Sequence, residues 1–403
     1  MKCRHCACQL EHVFLDLGFA PPSNAYLDAA DLNKAELYLP LKLYVCTQCW
    51  LVQTEDYSTP EDLFTKNYAY FSSVSTTWLN HAQRYSDMIR HRLDLGSDSF
   101  VVEVAANDGY LLKNFVAASI PCLGIEPTAS TAALAESLGI PIVREFFGAD
   151  LAQRLAPADL IIGNNVYAHV PDINDFTAGL RIALKRTGTV TLEFPHLMRL
   201  IEGVQFDTVY HEHFSYLSLL TVSRIFSQAG LRIWDVEEIP THGGSLRVYG
   251  CHAEADRITL PSFNEILKKE KDFGLHDLAV YHDFQDRISS IKNEFNLFLI
   301  NQKKNNKTVA AFGGAAKGST LLNFAGIKPD LLPYVCDSAP SKQGKFLPGT
   351  HIPILPPSAL KTYRPDFVVI LPWNISDEII AEHRYVRDWG GQFVIAIPQL
   401  TVL

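Results

Sequence analysis

In Phe100-Val-Val-Glu-Val-Ala-Ala-Asn-Asp-Gly-Tyr-Leu-Leu112 a short apolar strand, Phe100–Ala105, carries an acid near its end and runs through small residues into a helix. Small residues at such a turn let the backbone approach a ligand closely, which is how nucleotide-like cofactors are held. Further on, Gly124-Ile-Glu126-Pro127 ends the next strand with a carboxylate, suited to accept from both hydroxyls of a ribose. Glu103, Ala105, Asn107, Gly109 and Glu126 are therefore candidate cofactor residues. On the residues alone the ligand is a nicotinamide dinucleotide or S-adenosylmethionine. The strand begins only at residue 100, and its turn is Ala-Ala-Asn-Asp-Gly where a dinucleotide site has Gly-x-Gly-x-x-Gly. Both points favour the methyl donor, with a generic α/β turn holding no ligand as the bland alternative.

Outward from this stretch the chain alternates. Leu123–Glu126, Asp159–Gly163 and Thr189–Phe194 read as strands, with helices over Ala129–Leu138 and Ile173–Leu184 between them. That pattern predicts a parallel sheet with right-handed crossovers. Upstream, Thr76–Arg92 reads as a helix with Leu79, Ala82, Tyr85 and Met88 on one face, after a linker rich in aromatics (Tyr68, Tyr70, Phe71). Downstream, Leu231–Val236 and Ser245–Tyr249 read as a closing antiparallel pair, and Ser262–Asn301 as a long charged helical stretch containing a domain boundary. A second alternation follows: strand Thr308–Phe312, glycine-rich turn Gly313–Gly318, helix from Ser319 to Phe324, then strands Leu332–Cys336, Phe367–Leu371 and Gln392–Ile397. The expected fold class is α/β with three units: a small metal module over 1–58, a Rossmann-like domain over 59–265 and a second Rossmann-like domain over 266–403.

The first unit holds five of the eight cysteines. Cys3-x-x-Cys6 and Cys46-x-x-Cys49 are two thiolate pairs of the kind that together close a tetrahedral structural Zn²⁺ site; redox thiols or unrelated free cysteines are the alternative. Cys8 is a spare thiol. With 403 residues, a net charge of -9 and a pI near 5.9, the chain is too long for one core and the wrong sign for a nucleic-acid partner. No apolar run is long enough to span a bilayer and Met-Lys-Cys-Arg-His-Cys is not a secretory leader, so a cytoplasmic enzyme, monomer or dimer, is expected.

Tyr210-His-Glu-His-Phe-Ser-Tyr216 follows the last parallel strand, on the side where such sheets place their ligands. Moving a methyl to carbon beside a ketone requires removing an α-proton and stabilising the enolate, which a histidine base and phenol or imidazole donors supply. In a regular strand Glu212 and His213 would face opposite ways, so the segment must be a loop or bulge to present both.

Glu-Val-Ala-Ala-Asn-Asp-Gly-Tyr-Leu-Leu resembles the first methyltransferase motif, with Ala105 at a glycine position. Together with the paired cysteines, Tyr-His-Glu-His, Thr241-His-Gly-Gly-Ser-Leu-Arg-Val-Tyr249 and the C-terminal segments Gly314–Asn323, Lys342–His351 and Leu371–Asn374, the whole chain resembles the S-adenosylmethionine-dependent sugar C-methyltransferases that make 3-C-methyl branched deoxysugars. The resemblance implies Asn164 and Asn165 at the methionine end of the cofactor and Phe146 or Phe147 near the adenine. It implies His213 as general base, Tyr210, Glu212 and His169 beside it, and C3 of a nucleotide-linked (dTDP or GDP) 4-keto-sugar as methyl acceptor. The C-terminal domain would help hold the nucleotide-sugar, with His242, Arg247, Lys317, Lys342 and Lys345 as substrate residues. Phe312-Gly-Gly-Ala-Ala-Lys-Gly-Ser-Thr320 followed by Asp337 also reads as a second dinucleotide turn, so a bifunctional oxidoreductase is an alternative. An O- or N-methyltransferase, or a non-catalytic zinc-stabilised nucleotide-binding protein, are the others.

Overall fold

The computed structural model describes residues 1–55, 57 and 71–403; Tyr68 and Tyr70 of the expected linker, and the expected boundary at residue 58, lie outside them. The N-terminal strands β1 (His12–Ala20), β2 (Leu39–Val45) and β3 (Val52–Thr54) form an antiparallel sheet. The central sheet is built from β4 (Val101–Val104), β5 (Cys122–Ile125), β6 (Ile142–Val143), β7 (Ala158–Asn164) and β8 (Leu184–Pro195), all parallel. The two-residue strand β9 (Ser215–Tyr216) leaves this domain to pair with β3, completing the N-terminal sheet. Then β10 (Leu231–Ile239) and β11 (Ser245–His252) finish the central sheet, in the order β10-β11-β8-β7-β4-β5-β6 with β11 antiparallel to both neighbours. The third sheet comprises β12 (Val309–Phe312), β13 (Val335–Cys336), β14 (Ile354–Leu355), β15 (Phe367–Ile370), β16 (Gln392–Ile395) and β17 (Thr401–Val402), ordered β14-β13-β12-β15-β16-β17 and parallel up to its last strand.

The apolar runs Val101–Val102 and Leu160–Ile162 contain little alternation because helices cover both sheet faces. Chain order reverses between β4 and β7, and the crevice at the carboxyl ends of these strands is where a ligand binds in an open parallel sheet. The helix Thr76–Arg92 starts where expected, capped by Ser75, whose hydroxyl accepts from Trp78 N at 3.2 Å. Its buried face centres on Ala82, Tyr85 and Ile89, with Leu79 and Met88 at the flanks.

Some expectations shift. The long charged stretch is three helices, Pro261–Phe273, Ala279–His282 and Phe284–Lys304; Gly274, at φ 96°, ends the first in the left-handed conformation that glycine takes without strain. The first of these helices packs on β10, so the division expected at residue 265 falls inside it. The helix expected from Ser319 begins at Ala316, which places Lys317 in its first turn. The strand expected over Leu332–Cys336 pairs only at Val335–Cys336, and β6, β14 and β17 are short additions. One apolar cluster runs through all three units, joining Phe14 and Leu43 to Leu200 and Phe206 and to Phe295, Leu321 and Val335. Among the described residues no helix is long and apolar enough to cross a membrane.

Candidate active site and metal centre

The sulfurs of Cys3, Cys6, Cys46 and Cys49 lie within 4.8 Å of one another. The two knuckles repeat one geometry: Ala7 N donates to Cys3 O and Trp50 N to Cys46 O, each at 2.9 Å, and both Ala7 and Trp50 have positive φ. Four thiolates converging from two such turns, three of them buried, are the donor set of a closed tetrahedral zinc site. Cys8 is not one of these four, its thiol lying 3.6 Å from Gln9 O beside them. The module is fastened to the central domain by Arg4 on Pro171 O (2.7 Å), by the His5–Asn174 hydrogen bond (2.8 Å) and by Arg224 on Gln48 O (2.8 Å).

At the crevice, the turn after β4 bends through three residues of positive φ: Ala105 (59°), Asn107 (50°) and Gly109 (79°). Glu126 spans this turn and the next, its carboxylate accepting from Asn107 N and Thr128 N, both at 2.9 Å. Asn107 in turn accepts from Ser72 N at 3.0 Å. Glu103 is 1% exposed with neither carboxylate oxygen hydrogen-bonded, and burial, then the neighbouring Asp108 and Glu126 charges, push its pKa well above the carboxylate range. The side-chain oxygen and nitrogen of both Asn164 and Asn165, at the end of β7, also lack partners. Buried polar atoms without partners each cost about 1–3 kcal/mol. A ligand carrying an amine and a carboxylate satisfies both kinds at once, so these residues fit the methionine end of S-adenosylmethionine. Phe147, half-buried against Phe176 (ring centroids 5.2 Å apart), is the aromatic turned inward; Phe146 is exposed.

The Tyr210–Phe214 segment is a loop, entered from a single turn of helix at Phe206–Thr208 and left through β9, so its side chains are freed from strand alternation. His213 Nδ1 donates to Thr208 O at 2.9 Å, which leaves Nε2 as the lone-pair nitrogen. The Tyr210 ring lies 4.0 Å from the His213 ring and the His169 ring 4.6 Å from it, centroid to centroid. Burial lowers the pKa of His213 well below the usual imidazole value, helped by the His169 and Lys317 charges, and burial takes His169 down to about 4. Both rings are therefore neutral near pH 7, and His213 is a proton acceptor. Glu212 accepts from Asn24 Nδ2 at 2.7 Å, while His211 turns to Leu39 O and stands outside the cluster. The loop is held from both units: Thr54 N of the metal module donates to Phe214 O (3.1 Å), and Phe214 N donates to Ala168 O of the central domain (2.8 Å).

Three family descriptions account for nearly the whole chain: a zinc binding domain over residues 3–64, a methyltransferase domain over 78–236 and a C-methyltransferase C-terminal domain over 240–398. C-methyltransferase NovU of Streptomyces niveus is 32% identical over 406 aligned residues, spanning 100% of this chain and 96% of that one. The chain belongs to the C-methyltransferase family. Among solved structures, magnesium protoporphyrin IX methyltransferase of Synechocystis PCC 6803 shares 13% identity over 49% of this chain and 100% of its own, with a TM-score of 0.37. The PH0226 protein of Pyrococcus horikoshii OT3 shares 12% over 46% and 95%, with a TM-score of 0.38. At these scores nothing further is drawn from either.

This C-methyltransferase thus takes its methyl from S-adenosylmethionine and carries a structural zinc site at its N-terminus. The expected substrate residues divide. Arg247 is committed inside the protein, to Glu193 at 2.9 Å and Glu237 at 3.1 Å, with His81 also on Glu193 at 2.9 Å. Burial alone would raise the Glu193 pKa; His81 and Arg247 outweigh it and hold it low. Lys342 lies 3.4 Å from Asp337 and over the Tyr26 ring, Lys345 is half-buried, and the His242 ring lies tilted against Trp78 (centroids 5.2 Å apart) with its pKa lowered by burial to about 4. Lys317 donates to Asn374 Oδ1 at 2.8 Å. Asn24, Tyr26, His81, Glu193, Asp207 and Trp373 also belong to the site's surroundings. Only an acid at the end of β8, Glu193, carried a signal in the sequence; the others are brought to the site by the fold, His81 from a helix and Asp207 from the turn before Tyr210.

Proposed function

We propose that this enzyme methylates the carbon next to the ketone of a 4-keto-deoxysugar linked to a nucleoside diphosphate, by way of an enolate. The observation that carries the reading is His213: neutral, anchored through Nδ1, and with Nε2 directed away from that anchor. His213 Nε2 takes the α-proton, the C–H pair becomes the enolate double bond, and the carbonyl electrons move to oxygen. Tyr210 and His169 stand beside His213 as donors for that oxygen, and Glu212, held by Asn24, orients the loop. S-adenosylmethionine supplies a methyl group already bonded to a cationic sulfur, so the enolate needs no further activation. Glu103, Asn164, Asn165 and Glu126 hold the donor. A nucleoside diphosphate suits Lys342 and Lys345 in the C-terminal domain, and the reaction suits a cytoplasmic enzyme.

A 4-ketone has two α-carbons, C3 and C5; the family resemblance favours C3. The experiment incubates the enzyme in D2O with thymidine-diphosphate 4-keto-6-deoxyglucose, with and without S-adenosylmethionine, and reads the product by NMR and mass spectrometry. Deuterium wash-in at C3 without donor, then a C3 methyl with it, is the expected result. A methyl at C5 moves the acceptor carbon, and a methyl on oxygen without any carbon-bound deuterium overturns the enolate.

A further inference from the structure

Lys317 sits where two domains meet at the base. Trp373 Nε1 donates to Asp207 Oδ2 at 2.8 Å, tying the third sheet's domain to the helical turn whose next residue, Thr208, holds His213. Gly243, at φ 88°, lies so close under this indole that a Cβ there would come within 2.5 Å of it, so the ring is fixed from both sides. The Lys317 ammonium lies 4.8 Å from the centre of that ring and donates to Asn374 beside it. Gly313, at φ 94°, lets the chain turn tightly against Pro372 and so enter the helix carrying Lys317.

Pairing divides the candidate cations. Arg247 and Lys342 each have a carboxylate within ion-pair distance, whereas among the described residues Lys317 and Lys345 have none, and of these two Lys317 is the one seated on the Trp373 indole that ties to the His213 loop. Asp207, the opposing charge that acts on Lys317, is fully buried and spends one oxygen on Trp373; desolvation raises the Asp207 pKa to about 6. Half-buried, and with its pKa lowered by desolvation, Lys317 nevertheless projects its charge onto both His213 and His242. A largely desolvated cation with no carboxylate in direct contact is costly unless an anion arrives during function.

We propose that the Lys317 ammonium receives the keto oxygen of the sugar as it becomes an enolate oxygen, across the reacting carbon from His213, with Trp373, Asn374 and Asp207 as positioning residues. The assignment rests on the enolate reading above and gives Lys317 the reacting end of the sugar, leaving the diphosphate to Lys342 and Lys345. Geometry favours this end. The keto oxygen is one bond from the carbon adjacent to the deprotonated one, whereas the diphosphate leaves a pyranose at C1, across the ring from C4. In the step, the C–H bond breaks, its proton goes to Nε2, and the carbonyl π pair settles on the oxygen facing Lys317. A fixed positive charge in a site sheltered from water stabilises this oxygen without reorganising during the reaction.

The test measures saturating rate and KM for deuterium wash-in from D2O into thymidine-diphosphate 4-keto-6-deoxyglucose, for the full-length enzyme and for Lys317→Met, Lys317→Arg and Asn374→Ala. Calorimetric titration of S-adenosylhomocysteine shows that each variant is intact. Lys317→Met is expected to lower the saturating rate about 10²–10³-fold, the size of losing an oxyanion donor, with KM changed less than about threefold. Lys317→Arg should recover part of the rate, and Asn374→Ala, which frees the ammonium without deleting it, should lose about tenfold. A raised KM with the saturating rate preserved places Lys317 on the diphosphate instead, and rates unchanged in Lys317→Met reject any contact with the reacting atoms. Should Lys317→Met fail to fold, unchanged rates in both remaining variants reject the assignment. Absence of wash-in by the unsubstituted enzyme overturns the enolate reading and this assignment together, whereas wash-in that survives every substitution overturns only this one.

Discussion

Replacing Glu103 by Gln deletes one charge at the end of β4 while keeping its shape, and two effects of opposite sign follow. In the ligand-free protein this carboxyl is 1% exposed and unpaired, and its pKa stands well above the ordinary value of 4.5. A carboxyl raised in the folded state favours folding while it is protonated. That contribution is complete below the unfolded pKa and is lost as pH climbs through the folded value, at about 1.4 kcal/mol for each pH unit between the two. Glutamine is the protonated state made permanent. Glu103→Gln is therefore expected to unfold at higher temperature than the parent at pH 7–8, and the gap should close toward pH 4. The second effect is on the donor: a hydrogen bond to a charged group contributes about 1.5–3 kcal/mol, so S-adenosylmethionine should bind roughly 10- to 150-fold more weakly. Thermal unfolding without ligand across pH 4–8, followed by calorimetric titration of the donor at pH 7.5, measures both. A variant no more stable at neutral pH, or one that binds the donor as tightly as the parent, would refute the placement of Glu103 as a buried carboxyl awaiting the cofactor.

Three further substitutions probe separate parts of the molecule. His213→Ala should abolish deuterium wash-in while donor affinity stays within about twofold; an equal loss of donor binding would remove His213 from the role of base. Cys46→Ser should release zinc, read by metal analysis of the purified protein, and lower the thermal midpoint, because structural zinc contributes folding free energy; unchanged metal content would reject the four-cysteine site. Arg247→Met leaves Glu193 buried with His81 as its one remaining ionisable partner and should destabilise the fold by about 3–5 kcal/mol in chemical denaturation, whereas a loss confined to substrate KM would return Arg247 to the substrate.

What could be read before the fold was known follows from what each feature depends on. The helix Thr76–Arg92 and the strands β4, β5, β7 and β8 were legible because a run of apolar residues at one period, bounded by polar ones, has few ways to be buried. The paired cysteines were legible because ligand spacing is local chemistry, and both turns come out alike. Two-residue strands such as β6 and β14 were not, since pairing over so short a length is decided by neighbours remote in sequence. The break at Gly274 had a signal in its glycine, overridden by the charged helical pattern on both sides. His81 reads as an ordinary polar position on a helix surface, and only the arrival of β8 beneath it reveals Glu193 as its partner. Arg247 shows the converse: in the sequence it reads as a cation free for substrate, and only the fold shows two carboxylates of the same domain on it. Trp373 reads as one more aromatic until its indole is found on Asp207, 166 residues away in the chain.

The β3–β9 pairing has a consequence for how the molecule assembles. Val52–Thr54 is buried along its whole length, yet its far edge is covered by residues made more than 150 positions later. A nascent chain that has closed its zinc knuckles still carries an open sheet edge until Ser215–Tyr216 emerges and docks. When that happens, the same event that seals the edge draws Phe214 onto Thr54 and sets His213 in place. The histidine proposed as base is thus positioned by the same pairing that covers the open edge of the N-terminal sheet, so a chain lacking Ser215–Tyr216 keeps that edge exposed and lacks the frame of the proposed site.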